Sequence, residues 1–182
     1  MSNLFADFKT KLEETPNFRW EQKQEFNRLQ CIKSVHTCNS NMYYIHSGCV
    51  RAGFEEEGQS YTVRFGYSGS FIAALKSYFT DQPCNYYIQA LRKTTVTSIS
   101  KVYFEKLLAE NSQLQARWVY LLQATIMGQL EREEDLLSNS PDTRLQRLLQ
   151  RSPQVFQEVP HKYIADYLRM SPETLSRLLT KS

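Results

Sequence analysis

The residues best suited to chemistry cluster at the C-terminal end of the chain. Ser171, Glu173, Thr174, Ser176, Arg177, Thr180 and Lys181 follow one another closely, behind a Ser-Pro pair. At about 100° per residue, Leu175, Leu178 and Leu179 share one side of a helix. Glu173, Arg177 and Thr180 lie nearly opposite, with Ser176 and Lys181 flanking them. The leucines must pack inward, so the polar set must face out. Arginine bonds guanine bidentately, a carboxylate accepts from cytosine N4, and Ser or Lys holds phosphate. Lys162 and Arg169, a little upstream, are further candidates for a nucleic-acid backbone.

Other chemistries are poorly served. The three histidines, His36, His46 and His161, are unpaired in the sequence. No Gly-rich phosphate loop, nucleophile elbow or paired-carboxylate site is present. Cys31, Cys38, Cys49 and Cys84 sit at wide, irregular spacings without C-x-x-C. They read as reduced thiols of a cytoplasmic protein rather than a disulfide frame, a zinc site or an iron–sulfur cluster. No metal, no cofactor and no enzymatic activity are expected. No apolar run approaches the ~20 residues that span a bilayer, and the N-terminus lacks a signal peptide, so no membrane partner is expected.

The outward face needs a scaffold, and the local sequence supplies one. Residues 160–181 read as two short helices joined by a tight turn, the pattern of a helix-turn-helix. Ile164, Ala165 and Leu168 give the first helix an apolar face. Ser171 is a good N-cap, Pro172 fits N1, and Glu173 sits where the helix dipole favours negative charge. Ser140-Pro141 repeats that start signal for a helix through about Arg151, ended by Ser152-Pro153. Leu145, Leu148 and Leu149, then Val155, Phe156 and Val159, supply a small core. Charge is local too. Residues 138–182 hold 7 Lys+Arg and 4 Asp+Glu, so the net +3 of the whole chain lies there and residues 1–137 are neutral. That is a modest footprint for a polyanion.

Residues 1–34 read as helical, with Leu4, Phe5, Phe8 and Leu12 at helical spacing and a second helix over Glu21–Gln30. Residues 35–99 change character. Met42–His46, Cys49–Phe54, Tyr61–Phe65, Tyr86–Ala90 and Thr95–Ile99 are short β-rich runs punctuated by Gly and Asn, as in an antiparallel sandwich or roll. A helical insert is expected at Ile72–Phe79. Ser100 can cap a helix over Lys101–Glu110. A long helix over Leu114–Leu137 follows, apolar nearly all round in its first half and solvated at Glu131–Asp135. Such a helix needs two covers: the roll on one side and a second copy of the chain on the other. Leu114, Trp118, Leu121, Leu122 and Ile126 are the candidate dimer residues.

In this order of elements the chain resembles the Crp/Fnr transcription regulators, over essentially its whole length. In the roll the likeness rests on Tyr44-Ile45-His46-Ser47-Gly48-Cys49-Val50-Arg51, Gly58 and Phe65…Gly69-Ser70-Phe71. At the C-terminus it rests on Tyr163-Ile164-Ala165…Leu168 and on Ser171-Pro172-Glu173-Thr174-Leu175-Ser176-Arg177. The second set looks like the family's recognition helix and implies that Glu173 and Arg177 face base edges. The chain looks like the short members found in Bacteroidetes-type bacteria.

The resemblance implies an α+β fold: N-terminal helices, an antiparallel double-stranded β-helix (a jelly-roll-like β-roll), a long dimerisation helix, and a small helix-turn-helix domain without a complete wing. The corresponding divisions are residues 1–112, 113–138 and 139–182. It implies a homodimeric, sequence-specific regulator of transcription. The implied partners are double-stranded DNA carrying an inverted repeat, a second copy of the chain, RNA polymerase, and an unidentified small effector or none. Phe65, Gly69, Ser70, Phe71, Asn85 and Tyr86 are the effector-pocket candidates.

Three departures from the family's pattern matter. Arg169 stands where the turn often carries Gly; a left-handed arginine there costs about 1–2 kcal/mol. The chain extends only one or two residues past the last helix, so the wing is expected to be missing. Cyclic-nucleotide-binding members hold the ribose with a Glu after the roll glycine and the phosphate with an Arg further on. Here Ser70 follows Gly69, and no Lys or Arg occurs between Lys76 and Arg92. Cyclic AMP is therefore not expected to be the effector. Two alternatives remain: a roll that binds ligand or protein without DNA, and a cupin-like metalloenzyme. The second needs clustered histidines that the sequence does not offer.

Overall fold

The computed structural model describes residues 2–180. Eight strands and eight helices follow one another in an α+β arrangement, among the described residues. The N-terminal helix α1 (Ser2–Glu13) buries Phe8 and Leu12 completely. The strands are β1 (Gln22–Phe26), β2 (Cys31–Lys33), β3 (Met42–Ser47), β4 (Cys49–Glu56), β5 (Gln59–Tyr67), β6 (Phe71–Ala73), β7 (Tyr86–Ala90) and β8 (Thr94–Ile99). They form two antiparallel four-stranded sheets, ordered β1-β8-β3-β6 and β2-β7-β4-β5. This is the expected β-roll. Tyr43, Ile45, Val50, Ile72, Ile88 and Val96 form the core between the sheets.

One helix of the sequence reading is a strand. Residues 21–30 are rich in Gln, Glu, Lys and Arg, which favour helix. Yet Gln22–Phe26 pairs antiparallel with β8, in register from Gln22 with Ser98 to Phe26 with Thr94. The edge of β8 offers those backbone groups partners, and tertiary pairing overrides a weak local preference. The run then turns through Leu29, whose φ is 69°. The fold therefore has a single helix ahead of the roll. The insert expected at Ile72–Phe79 begins instead as strand β6 and becomes helix α2 (Leu75–Thr80) only afterwards. Gly69 makes the β5–β6 turn possible. Its φ is +88°, a value glycine adopts without steric cost, and its N–H donates to the Ile45 carbonyl at 2.9 Å.

Helices α3 (Lys101–Glu110) and α4 (Ser112–Leu137) close the roll. Ser100 precedes α3 as foreseen but makes no side-chain cap; its N–H and Oγ donate to the Glu21 carboxylate. Phe8, Phe71, Phe104, Leu107, Leu114 and Leu121 pack into one core beneath α1 and α4. Four helices follow: α5 (Pro141–Arg151), α6 (Gln154–Glu158), α7 (His161–Tyr167) and α8 (Pro172–Leu179). Leu145, Leu148, Val155, Val159, Ile164, Leu168 and Leu175 share the core of this module.

Candidate nucleic-acid interface and effector cavity

The turn between α7 and α8 follows from where its carbonyls find donors. Arg169 is left-handed, with φ 54°. Its N–H donates to the Asp166 carbonyl at 3.1 Å, and the Met170 N–H donates to the Ala165 carbonyl at 3.0 Å. This pair of bonds is a Schellman ending with arginine in the place usually held by glycine. Arg144 of α5 completes it from below. Its Nε donates to the Leu168 carbonyl at 2.8 Å, one terminal nitrogen to Arg169 at 3.3 Å and the other to Ser138 at 2.6 Å. The last carbonyls of a helix have no intrahelical partners, and a buried guanidinium supplies them. Arg169→Gly should therefore raise stability by about 1 kcal/mol, read as a higher melting temperature. An unchanged or lower value would show that the stacking of Arg169 over the Tyr61 ring, 5.1 Å to the centroid, outweighs the strain.

Helix α8 begins as its sequence dictates. The Ser171 hydroxyl accepts from the Thr174 N–H at 3.1 Å, and Pro172 occupies the first turn. Leu175 is fully buried, with Leu178 and Leu179 partly so. Ser171, Glu173, Ser176, Arg177 and Thr180 are exposed, and Thr174 is intermediate. The Glu173 carboxyl is held below the usual carboxylate range by its own backbone N–H and by Ser171, so it is ionised at neutral pH. Among the described residues, no hydrogen bond or ion pair engages the Arg177 guanidinium. The Thr180 hydroxyl bonds back to the Ser176 and Arg177 carbonyls. Lys162 is exposed, its ammonium 4.7 Å from the Tyr163 ring centroid, and Arg169 is exposed at the turn. Lys181 lies outside the described residues.

The module is fastened to the roll along β5. Asp166 Oδ2 accepts from the Thr62 N–H at 3.0 Å. Arg132 of α4 donates to the Thr62 carbonyl at 3.0 Å and to the Tyr167 carbonyl at 2.8 Å. Its guanidinium also lies 3.6 Å from the Tyr167 ring centroid. Phe65 meets Tyr167 ring to ring at 5.3 Å. Near the end of α4, Asp135 accepts from Arg151 at 2.7 Å. Arg132 and Asp135 are 7% and 3% exposed. The Glu131–Asp135 stretch, read as solvated, is thus partly a buried junction, because Arg132 and Asp135 face the helices that follow rather than water.

The apolar surface of α4 is divided. Leu114 and Leu121 are buried inside the protomer, and Trp118 packs on Phe8, Tyr78 and Phe104. These three candidate dimer residues are occupied within one copy, because α1, α3 and the roll cover that side of the helix. Leu122 is partly buried. The exposed stripe is Val119, Ile126, Leu130 and Leu137, at 47%, 58%, 46% and 78% exposure.

A cavity of about 320 Å³ lies between the roll and α4. Phe71 and Tyr86 line it, together with Ala52, Val63, Leu121 and Leu122. Phe65 and Ser70 line a smaller neighbour of about 100 Å³. Gly69 and Asn85 line neither; Gly69 serves the turn, and the Asn85 carbonyl accepts from the Glu55 N–H. The residue that the sequence reading missed is Arg64, which lines both spaces. A search confined to the stretch after Lys76 could not find it, because β5 delivers it from the opposite side. Burial pulls its pKa below that of a free guanidinium, and the Tyr167 phenol acts in the other direction.

The four cysteines are free; Cys49 and Cys84 are buried, and burial pushes the Cys49 thiol up to about 12. Among the described residues, no three His, Cys, Asp or Glu side chains gather as a metal site, and no helix is long and apolar enough to cross a membrane.

Residues 32–111, which hold most of the roll, match the family model of the cyclic nucleotide-binding domain. Over 87–88% of its length the chain shares its fold with the following solved structures. FixK2 of Bradyrhizobium japonicum is 16% identical, with a TM-score of 0.71 over 88% of this chain and 83% of its own. A transcriptional regulator of the CRP family from Thermus thermophilus, TTHB099, is 17% identical, with a TM-score of 0.64 over 87% and 83%. The c-di-GMP-responsive global regulator CLP of Xanthomonas campestris is 14% identical, with a TM-score of 0.65 over 88% and 85%. No curated protein sequence matches the chain.

Proposed function

We propose that the chain is a sequence-specific, DNA-binding regulator of transcription that acts as a homodimer, with the roll as its effector domain. One observation carries the reading: α8 turns its leucines inward, Leu175 fully buried and Leu178 and Leu179 partly, and holds Glu173, Ser176 and Arg177 outward, with the Arg177 guanidinium unengaged among the described residues. A helix of this kind, entered through a capped turn, fits a major groove. The ionised Glu173 is an acceptor for a base amine, and Arg177 is a bidentate donor for guanine. Ser171, Thr174, Ser176, Lys162, Arg169 and Lys181 are the candidates for phosphate and flanking contacts.

Pairing of two copies is supported by the exposed stripe on α4. Val119, Ile126, Leu130 and Leu137 recur at steps of seven, four and seven residues, the spacing of a coiled-coil seam. Leu114–Leu137 gives about 36 Å of helix at about 1.5 Å per residue. Two recognition helices would then address an inverted repeat whose half-sites lie one helical turn, about 34 Å, apart. Arg177→Ala is expected to cost about 1–3 kcal/mol and to relax preference at one base pair per half-site, measured by fluorescence anisotropy on single-base variants of the site. Preference left intact at every position would remove Arg177 from the role of base reader.

A further inference from the structure

Resting on the reading of the roll as an effector domain, we infer that the cavity between the roll and α4 takes an organic carboxylate with an apolar body, and that Arg64 holds its charged end.

The cavity walls are mostly hydrocarbon and aromatic: Ala52, Val63, Phe71 and Tyr86 from the roll, and Leu121 and Leu122 from α4. Into this surface β5 brings one guanidinium. Among the described residues, Arg64 makes no side-chain hydrogen bond and no ion pair, although it is more enclosed than exposed. The other arginines that are not exposed are spent: Arg51 on Gln89, Arg151 on Asp135, Arg132 on two carbonyls and Arg144 on three. A half-buried cation without a partner is costly, and an anion seated beside it offsets that cost.

The polar inventory narrows the ligand further. Besides Arg64, the lining offers Thr125 and Gln129 on α4, the exposed Lys76 and the phenol of Tyr86. A nucleotide needs partners for its base edge and its sugar hydroxyls as well as its phosphate, and the aromatic and aliphatic walls give few. A ligand with one charged end and an apolar remainder needs only a fork for the charge and area for the rest. The planar guanidinium is that fork, matched to a carboxylate. The volume, about 320 Å³, lies at the small end of ligand cavities. Arg64 also stands between Thr62 and Phe65, which hold α7. An anion drawn to Arg64 therefore acts on the strand that seats the reading module.

Calorimetric titration of the whole protein, free of DNA, with decanoate, 1-decanol and cyclic AMP tests this. Decanoate below its micellar concentration should bind on the order of ten- to a hundredfold tighter than 1-decanol, the ratio expected for a charge-assisted hydrogen-bonded pair. Arg64→Met should abolish that preference while leaving the alcohol's affinity. Arg64→Lys should keep part of it, since the charge remains without the fork. Equal affinity for acid and alcohol, no binding of decanoate, or an unchanged preference in Arg64→Met would overturn the proposal. Tighter binding of cyclic AMP than of decanoate would overturn it in favour of a nucleotide. The comparison of acid with alcohol needs no variant to fold, and the absence of DNA keeps the outcome separate from any failure of the regulator reading.

Discussion

Replacing Val119 and Leu130 together with aspartate should turn a dimer into monomers and weaken binding to an inverted repeat by about 10²–10⁴-fold. Both side chains are exposed in the protomer, at 47% and 46%, and line neither cavity, so charge there meets water in a single copy and meets like charge only across a seam. The protomer's own core should be untouched, and its melting transition should shift little at low concentration. The size of the DNA effect follows from avidity: a linked second half-site multiplies affinity without any new contact type, and monomers lose that factor. Sedimentation velocity reads the first effect and anisotropy on full and half sites the second. A double variant that still sediments as the unaltered protein does would move the seam elsewhere. Trp118→Asp is the wrong probe, although the sequence points to it. Trp118 packs on Phe8, Phe104 and Tyr78, so a carboxylate there would damage the fold and not the pairing.

Arg144→Met should cost the C-terminal module about 3 kcal/mol and abolish DNA binding at temperatures where the roll remains folded. The guanidinium holds the carbonyls of Leu168, Arg169 and Ser138. A polar group left unsatisfied costs about 1–3 kcal/mol when buried, and the exposed side of the turn lets water recover some of that. Methionine keeps the hydrocarbon stem's volume, so the loss isolates the donors. Small helical modules have little stability to spare. Hydrogen exchange resolved by segment is the suitable measurement. Amides of α7 and α8 should lose protection while those of β4 and β7 keep it. Equal protection in the variant would mean that the turn is held by its Schellman bonds alone.

The parts of this fold legible in the sequence are those whose signals are local. Ser140-Pro141 and Ser171-Pro172 mark helix starts because the cap and the first turn lie within four residues, and both serines do accept the expected N–H. The strands at 42–47, 49–56, 59–67, 86–90 and 94–99 follow from alternation and turn residues. The outward face of α8 follows from the leucine spacing alone. Where a partner distant in sequence decides, the reading fails. Gln22–Phe26 carries helix formers but is claimed by β8. Arg132 and Asp135 look like solvated surface until Thr62, Tyr167 and Arg151 are brought to them. Trp118 is apolar on an apolar helix, and no periodicity tells which of two covers it meets. Arg64 alternates with apolar neighbours on β5 as any surface arginine would, and only the closure of the roll turns it toward an enclosed space. The search for a phosphate-holding arginine was confined to the stretch between Lys76 and Arg92, whereas the cavity is built across strands.

The central claim is that the solvent face of α8 reads base pairs. Selection of bound duplexes from random DNA by the purified protein at physiological ionic strength tests it most directly. The account predicts enrichment of one inverted repeat with half-sites about one helical turn apart, and loss of a single defined position in each half-site when Arg177→Ala is used in the same selection. Recovery of no common sequence, with retention that falls away uniformly as salt rises, would contradict it.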